Sequence, residues 1–149
     1  MGLRLIDVVR EELGATYTPN AGSVDSATYK GFGYLTASAP AAQGSMDAVA
    51  KAIRQIATDL RTNPPSADEL LRARKPIVER WQRQARENTS WVGLVADAQD
   101  RPELLDRRRT RSAVLEAISP ADLMATAKRY VDPAAALEIR VIPRPVPAG

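Results

Sequence analysis

The stretch Arg10–Pro19, REELGATYTP, joins a helical pattern to a strand pattern and decides how the first part of the chain folds. Apolar residues recur before it at three- and four-residue steps, namely Leu3, Ile6, Val9 and Leu13, which predicts an amphipathic helix over residues 2–13. Gly14 follows at the place where a helix end favours a left-handed residue. Arg10 and Tyr17 therefore lie seven residues apart across a helix-to-strand turn.

The sequence beyond this stretch predicts one α+β domain over residues 1–143 and a loose proline-rich tail over residues 144–149. Strands are predicted at residues 15–24 and 29–39 as an antiparallel hairpin, and at 137–141 from alternating apolar and charged residues. Helices are predicted at residues 45–62, 66–87, from 88 onward, 112–117 and 119–130, with a charged connector at 101–111. The expected architecture is an antiparallel sheet packed against helices on one face.

Composition excludes several kinds of chemistry. The 149 residues contain no cysteine and no histidine, so a Ser-His-Asp triad, a Cys-His pair and a histidine-ligated zinc site are all excluded from this chain. The net charge of +3 comes from 21 positive and 18 negative residues that are largely interleaved, so the charge balance gives only weak support for a nucleic-acid partner. No apolar run approaches the length of a membrane span, and the N-terminus does not read as a signal peptide.

Three stretches together resemble one lobe of the pitrilysin/insulinase family of zinc metallopeptidases. They are VREELGATYTP at residues 9–19, SADELLRARKPIVERWQRQARENTSW at 66–91, and SPADLMATAKRYVDPAAALEIRVIP at 119–143. The catalytic lobe of that family carries the zinc motif H-x-x-E-H, which a chain without histidine cannot contain. The likeness is therefore to the metal-free C-terminal lobe, here expected to lack its first strands.

The resemblance implies that this chain holds no cofactor and no catalytic residue, and that zinc lies in a catalytic H-x-x-E-H lobe on the same or a separate chain. Arg10 and Tyr17 match an arginine and a tyrosine with which the metal-free lobe reaches the bound peptide and its scissile carbonyl. The predicted function is a non-catalytic portion that clamps an extended peptide opposite the zinc. The alternative is a scaffold or interaction module of the same fold without a proteolytic role.

Other interpretations of individual residues stay open. Arg10 also suits the cationic end of a helix. Trp81 and Trp91 read as core or lobe-interface residues rather than a ligand stack. The arginines at 107, 108, 109 and 111 read as a solvated connector rather than a nucleic-acid patch. A lobe without its first strands would expose a sheet edge and tend to form homodimers through it. The compartment stays open, and the resemblance is compatible with a periplasmic parent.

Overall fold

The computed structural model describes residues 1–14, 18–26 and 28–143 of the chain. Within these ranges the fold is α+β, with six helices and one two-stranded antiparallel sheet, as the sequence predicts. The elements are α1 (Gly2–Leu5), a π-helical segment (Ile6–Glu12), β1 (Asn20–Asp25), β2 (Gly33–Ser38), a 3-10 turn (Gln43–Ser45), α2 (Met46–Thr62), α3 (Ala67–Gln84), α4 (Asn88–Asp100), α5 (Glu103–Ala117) and α6 (Pro120–Tyr130).

Two compact units can be distinguished. The first comprises Met1–Asn63 together with the residues from Ala125 onward, and it contains the sheet and α2. The second comprises Pro64–Met124 and is helical.

The core of the first unit lies between the N-terminal helical segment, α2 and one face of the sheet. Leu5 and Val9 are completely buried, and with Val49 and Ile56 of α2 they form its centre. Ala21 and Ala37, which are partners in the antiparallel register, pack against this centre. The small alanine side chains let the sheet approach the helices closely, so one sheet face is covered, as predicted.

The opposite face of the sheet carries exposed apolar side chains. Val24 and Tyr34 are register partners on that face and remain 45% and 51% exposed. The hairpin itself is confirmed. β2 begins at Gly33 instead of residue 29 because the loop is wider than predicted, whereas β1 begins at Asn20, and residues 15–17 of the predicted first strand lie outside the described residues. Ser26 donates its backbone N–H to the carbonyl of Phe32 at 3.0 Å, and Gly31 within that loop has a φ of +79°.

Serine side chains cap two helices of the second unit. The backbone N–H of Glu69 donates to the Ser66 hydroxyl at 3.0 Å, which starts α3. Before α6, the backbone N–H of Ser119 donates to Asp122 Oδ2 at 2.9 Å, and the Asp122 N–H donates back to the Ser119 hydroxyl at 3.2 Å. These reciprocal bonds satisfy N–H groups that have no partner inside the helix.

Two predicted elements are wrong. Residues 101–111 were expected to form a charged connector, but most of them belong to α5, because arginine, leucine and glutamate are good helix formers whatever their net charge. Residues 137–141 were expected to form a half-buried strand, but they pair with neither β1 nor β2. Leu137, Ile139 and Val141 are 87%, 75% and 84% exposed, so the alternation there buries no face.

Candidate substrate-binding site

Arg10 lies on the π-helical segment that packs against the sheet. Its neighbour Val9 is completely buried, whereas the Arg10 side chain is 44% exposed on the outer side of the same segment. The segment ends where Leu13 donates its backbone N–H to the carbonyl of Val8 at 3.0 Å, a five-residue step. Gly14 then takes a φ of +58°, as the sequence predicts for a helix end.

The guanidinium of Arg10 has a weak local partner. Its Nη2 donates to Glu11 Oε1 at 3.1 Å, and the Glu11 side chain is 60% exposed. An exposed ion pair between sequence neighbours contributes little to stability, so a substrate carbonyl or carboxylate can compete for this guanidinium. Tyr17, the second predicted site residue, lies outside the described residues together with Ala15 and Thr16.

An open groove of about 520 Å³ lies beside the end of β2. Its walls are the β2 end and the residues after it, Ala37 to Ala41, the first half of α2, and the extended segment 136–141. Met46, Val49 and Ile53 of α2 give it an apolar floor. The sequence alone could not predict this groove, because it depends on the segment 136–141 lying apart from the sheet instead of joining it.

Ion pairs hold the segment 136–141 against α2. Glu138 accepts a hydrogen bond from Nη2 of Arg54, and Arg140 donates its Nη1 to Asp47 Oδ1 at 2.7 Å. Arg140 Nε also donates to Glu138 Oε1 at 2.5 Å. These side chains are partly exposed, so each pair contributes little to stability on its own.

A second cavity, of about 690 Å³, lies within the helical unit. The guanidinium carbon of Arg108 lies 4.1 Å from the ring centre of Trp91. The guanidinium carbon of Arg111 lies 4.5 Å from the ring centre of Trp81. Trp91 is 45% exposed and is therefore not a core residue, whereas the alternative that it lies at a lobe interface stays a prediction. Periodicity does not reveal these stacks, because they join residues on different helices.

The described residues contain no group of three histidine, cysteine, aspartate or glutamate side chains that could hold a metal ion. No helix within the same ranges is long and apolar enough to cross a membrane.

Comparison with known proteins supports the resemblance seen in the sequence. The family described as "Peptidase M16 inactive domain" matches residues 1–77, which are 77 of the 149 residues and slightly more than half of the chain. Comparisons with curated proteins and with solved structures gave no significant match. The matched region includes Arg10, the hairpin and α2. The chain therefore belongs to the Peptidase M16 inactive domain family, a non-catalytic part of a peptidase family.

Proposed function

We propose that this chain is the substrate-binding portion of a zinc-dependent endopeptidase, holding an extended peptide opposite a zinc site that another lobe carries. The observation that carries the proposal is the family match over residues 1–77, which takes in the segment with the exposed Arg10. Residues 1–143 then act as one partial C-terminal lobe, followed by the tail at 144–149.

The chemistry of the proposed role follows from the charge that peptide hydrolysis creates. In the catalytic lobe, zinc would polarise the scissile carbonyl and activate a water molecule. The attack places negative charge on the carbonyl oxygen, and donors fixed nearby stabilise it. Arg10 would donate from its planar guanidinium to this oxygen or to a neighbouring substrate carbonyl, and Tyr17 would donate its phenol hydroxyl.

The position of Arg10 supports this role. The buried Leu5 and Val9 anchor the helical segment to the sheet, so the backbone that carries Arg10 is held by the core while the guanidinium stays accessible. The five-residue hydrogen-bond step at its end is a feature that often accompanies functional sites.

The hairpin suggests how an extended peptide is bound. The sheet has two strands, so each strand has one edge that no other described strand pairs with. An extended peptide adds to such an edge through backbone hydrogen bonds, which require little of its sequence. The groove beside β2 would take alternate side chains of that peptide on its apolar floor.

The test measures peptide cleavage by the parent enzyme reconstituted with this chain. Arg10→Ala and Tyr17→Phe should each lower kcat/KM by roughly ten- to a hundredfold, which corresponds to one charge-assisted or catalytic hydrogen bond. Arg83→Ala is the matched control, since Arg83 is an exposed arginine on α3 outside this site, and turnover should not change. Unchanged turnover in the Arg10 and Tyr17 variants would instead support the scaffold role.

A second measurement concerns the chain alone. It should bind no stoichiometric zinc and cleave no peptide, because it has no histidine. Stoichiometric zinc together with activity that a chelator abolishes would contradict the proposal.

A further inference from the structure

The cavity between α3, α4 and α5 contains two arginines without an acidic partner. Arg108 and Arg111 lie three residues apart on α5, and neither makes an ion pair with any described residue. Arg109 also lines the cavity, but its Nη1 is paired with Asp106 at 3.1 Å. Two like charges on one helix face repel each other, so this arrangement favours an anion between them.

One of these guanidiniums has a buried donor that is not used. Nη2 of Arg108 is shielded from solvent and has no hydrogen-bond partner, while Nη1 has only a long contact of 3.4 Å to the Ser90 hydroxyl. A buried charged donor without an acceptor is costly, and native structures leave few of them. Burial, and secondly the nearby charge of Arg108, lower the pKa of Arg111.

The two tryptophan rings lie against the two guanidinium groups. Each arginine lies over an indole ring, and the Trp91 ring is itself held by its Nε1–H, which donates to the carbonyl of Ala85 at 2.8 Å. A planar guanidinium held against an aromatic ring is suited to bidentate hydrogen bonds with a carboxylate. Three apolar side chains complete the wall beside the arginines: Val78, Leu94 and Leu105.

We propose that this cavity binds an organic carboxylate with an apolar body, the carboxylate lying between Arg108 and Arg111 and the body lying against the aliphatic wall. The cavity volume of about 690 Å³ is within the range of small-molecule sites. Glu116 lines the same cavity, and its negative charge disfavours an anion there. Removal of this charge should therefore strengthen binding, whereas removal of either arginine should weaken it. The proposal does not depend on the peptidase role, because it involves none of the residues of the Arg10 site.

Intrinsic fluorescence tests the proposal directly, because the chain has only two tryptophans and both lie at this cavity. The intact chain is titrated with octanoate, with a blocked tripeptide that ends in leucine and a free carboxylate, with the amide of that peptide, and with inorganic phosphate. Saturable binding of octanoate or of the peptide acid, with at least tenfold weaker binding of the amide, supports the proposal.

The two acids distinguish the sources of the carboxylate. Tighter binding of the peptide acid assigns the site to peptide C-termini, whereas tighter binding of octanoate assigns it to free organic acids. Binding of neither acid, equal binding of acid and amide, or binding of phosphate alone would overturn the proposal.

Substitutions locate the ligand. Arg108→Gln and Arg111→Gln should each weaken binding roughly ten- to a hundredfold, the usual effect of losing a charge-assisted hydrogen bond. Glu116→Gln should strengthen it. Arg107→Gln is the matched control, because Arg107 is an exposed neighbour on α5 that does not line the cavity.

Far-UV circular dichroism checks that each variant is folded. If the Arg108→Gln variant does not fold, Arg108→Lys keeps the positive charge without the planar guanidinium. The Arg108→Lys variant should still bind the carboxylate more weakly than the wild type. Equal losses in the Arg107 and Arg108 variants, or unchanged binding in the Arg111 and Glu116 variants, would contradict the assignment.

Discussion

Neighbouring residues Val9 and Arg10 should respond to alanine in different ways, because Val9 is part of the core whereas Arg10 is exposed and is proposed to bind substrate. Val9 is completely buried, and Val9→Ala removes two methyl carbons, a transfer loss of about 1.6 kcal/mol. The remaining cavity adds about 1 kcal/mol, and the higher helix propensity of alanine offsets about 0.5 kcal/mol. The expected loss in the free energy of unfolding is therefore about 2 kcal/mol.

Arg10→Ala removes only an exposed ion pair with Glu11, so the free energy of unfolding should change by less than about 0.5 kcal/mol. Both variants are measured by urea unfolding followed by far-UV circular dichroism, which reports on the helices. A loss in Arg10→Ala equal to that in Val9→Ala would show that Arg10 is structural. A loss below about 0.5 kcal/mol in Val9→Ala would show that the segment is not anchored as described.

Three further predictions concern the helical unit and its boundary helix. Ser66→Ala should cost about 1 kcal/mol of stability in urea unfolding because the α3 cap is lost, whereas Ser66→Thr should keep most of it. Arg74 Nη2 donates to the carbonyl of Glu116 at 3.1 Å at the end of α5, so Arg74→Ala should lower the unfolding free energy by about 1–2 kcal/mol. The hydrogen bonds from Ser119 lower the pKa of Asp122 from its ordinary value of 3.8, so its contribution to stability is present above that value and is lost as the pH falls through the lower folded-state pKa. Asp122→Asn should therefore reduce the fall of the melting temperature at acid pH. An unchanged fall in this variant would contradict the stabilising role of the Asp122 carboxylate.

Local signals predicted the parts of the fold that depend on neighbouring residues. Gly14 ends the first helical segment, and Ser66 and Ser119 cap α3 and α6, as their side chains and spacings indicate. The antiparallel hairpin was also predictable, since its alternation and turn residues lie within one short stretch.

Features that depend on distant residues were not predictable. The alternation at residues 137–141 is typical of a strand, but pairing needs a partner edge, and ion pairs to α2 hold this segment apart from the sheet. The stacks of Arg108 and Arg111 on tryptophans join three helices, and no local pattern identifies which arginine meets which ring. For the candidate site, the helix end at Gly14 was predictable and Arg10 stays a prediction, whereas the groove beside β2 required the structure.

Identification of the protein that accompanies this chain would test the substrate-binding role directly. The chain is captured from native extract under non-denaturing conditions, and the mass, bound metal and sequence of whatever is attached or co-purified are determined. We expect a zinc-containing lobe with an H-x-x-E-H motif, on the same or a separate polypeptide, and peptide cleavage that Arg10→Ala weakens. A species of about 16.2 kDa that runs alone, without zinc and without a metallopeptidase partner, would contradict the substrate-binding role.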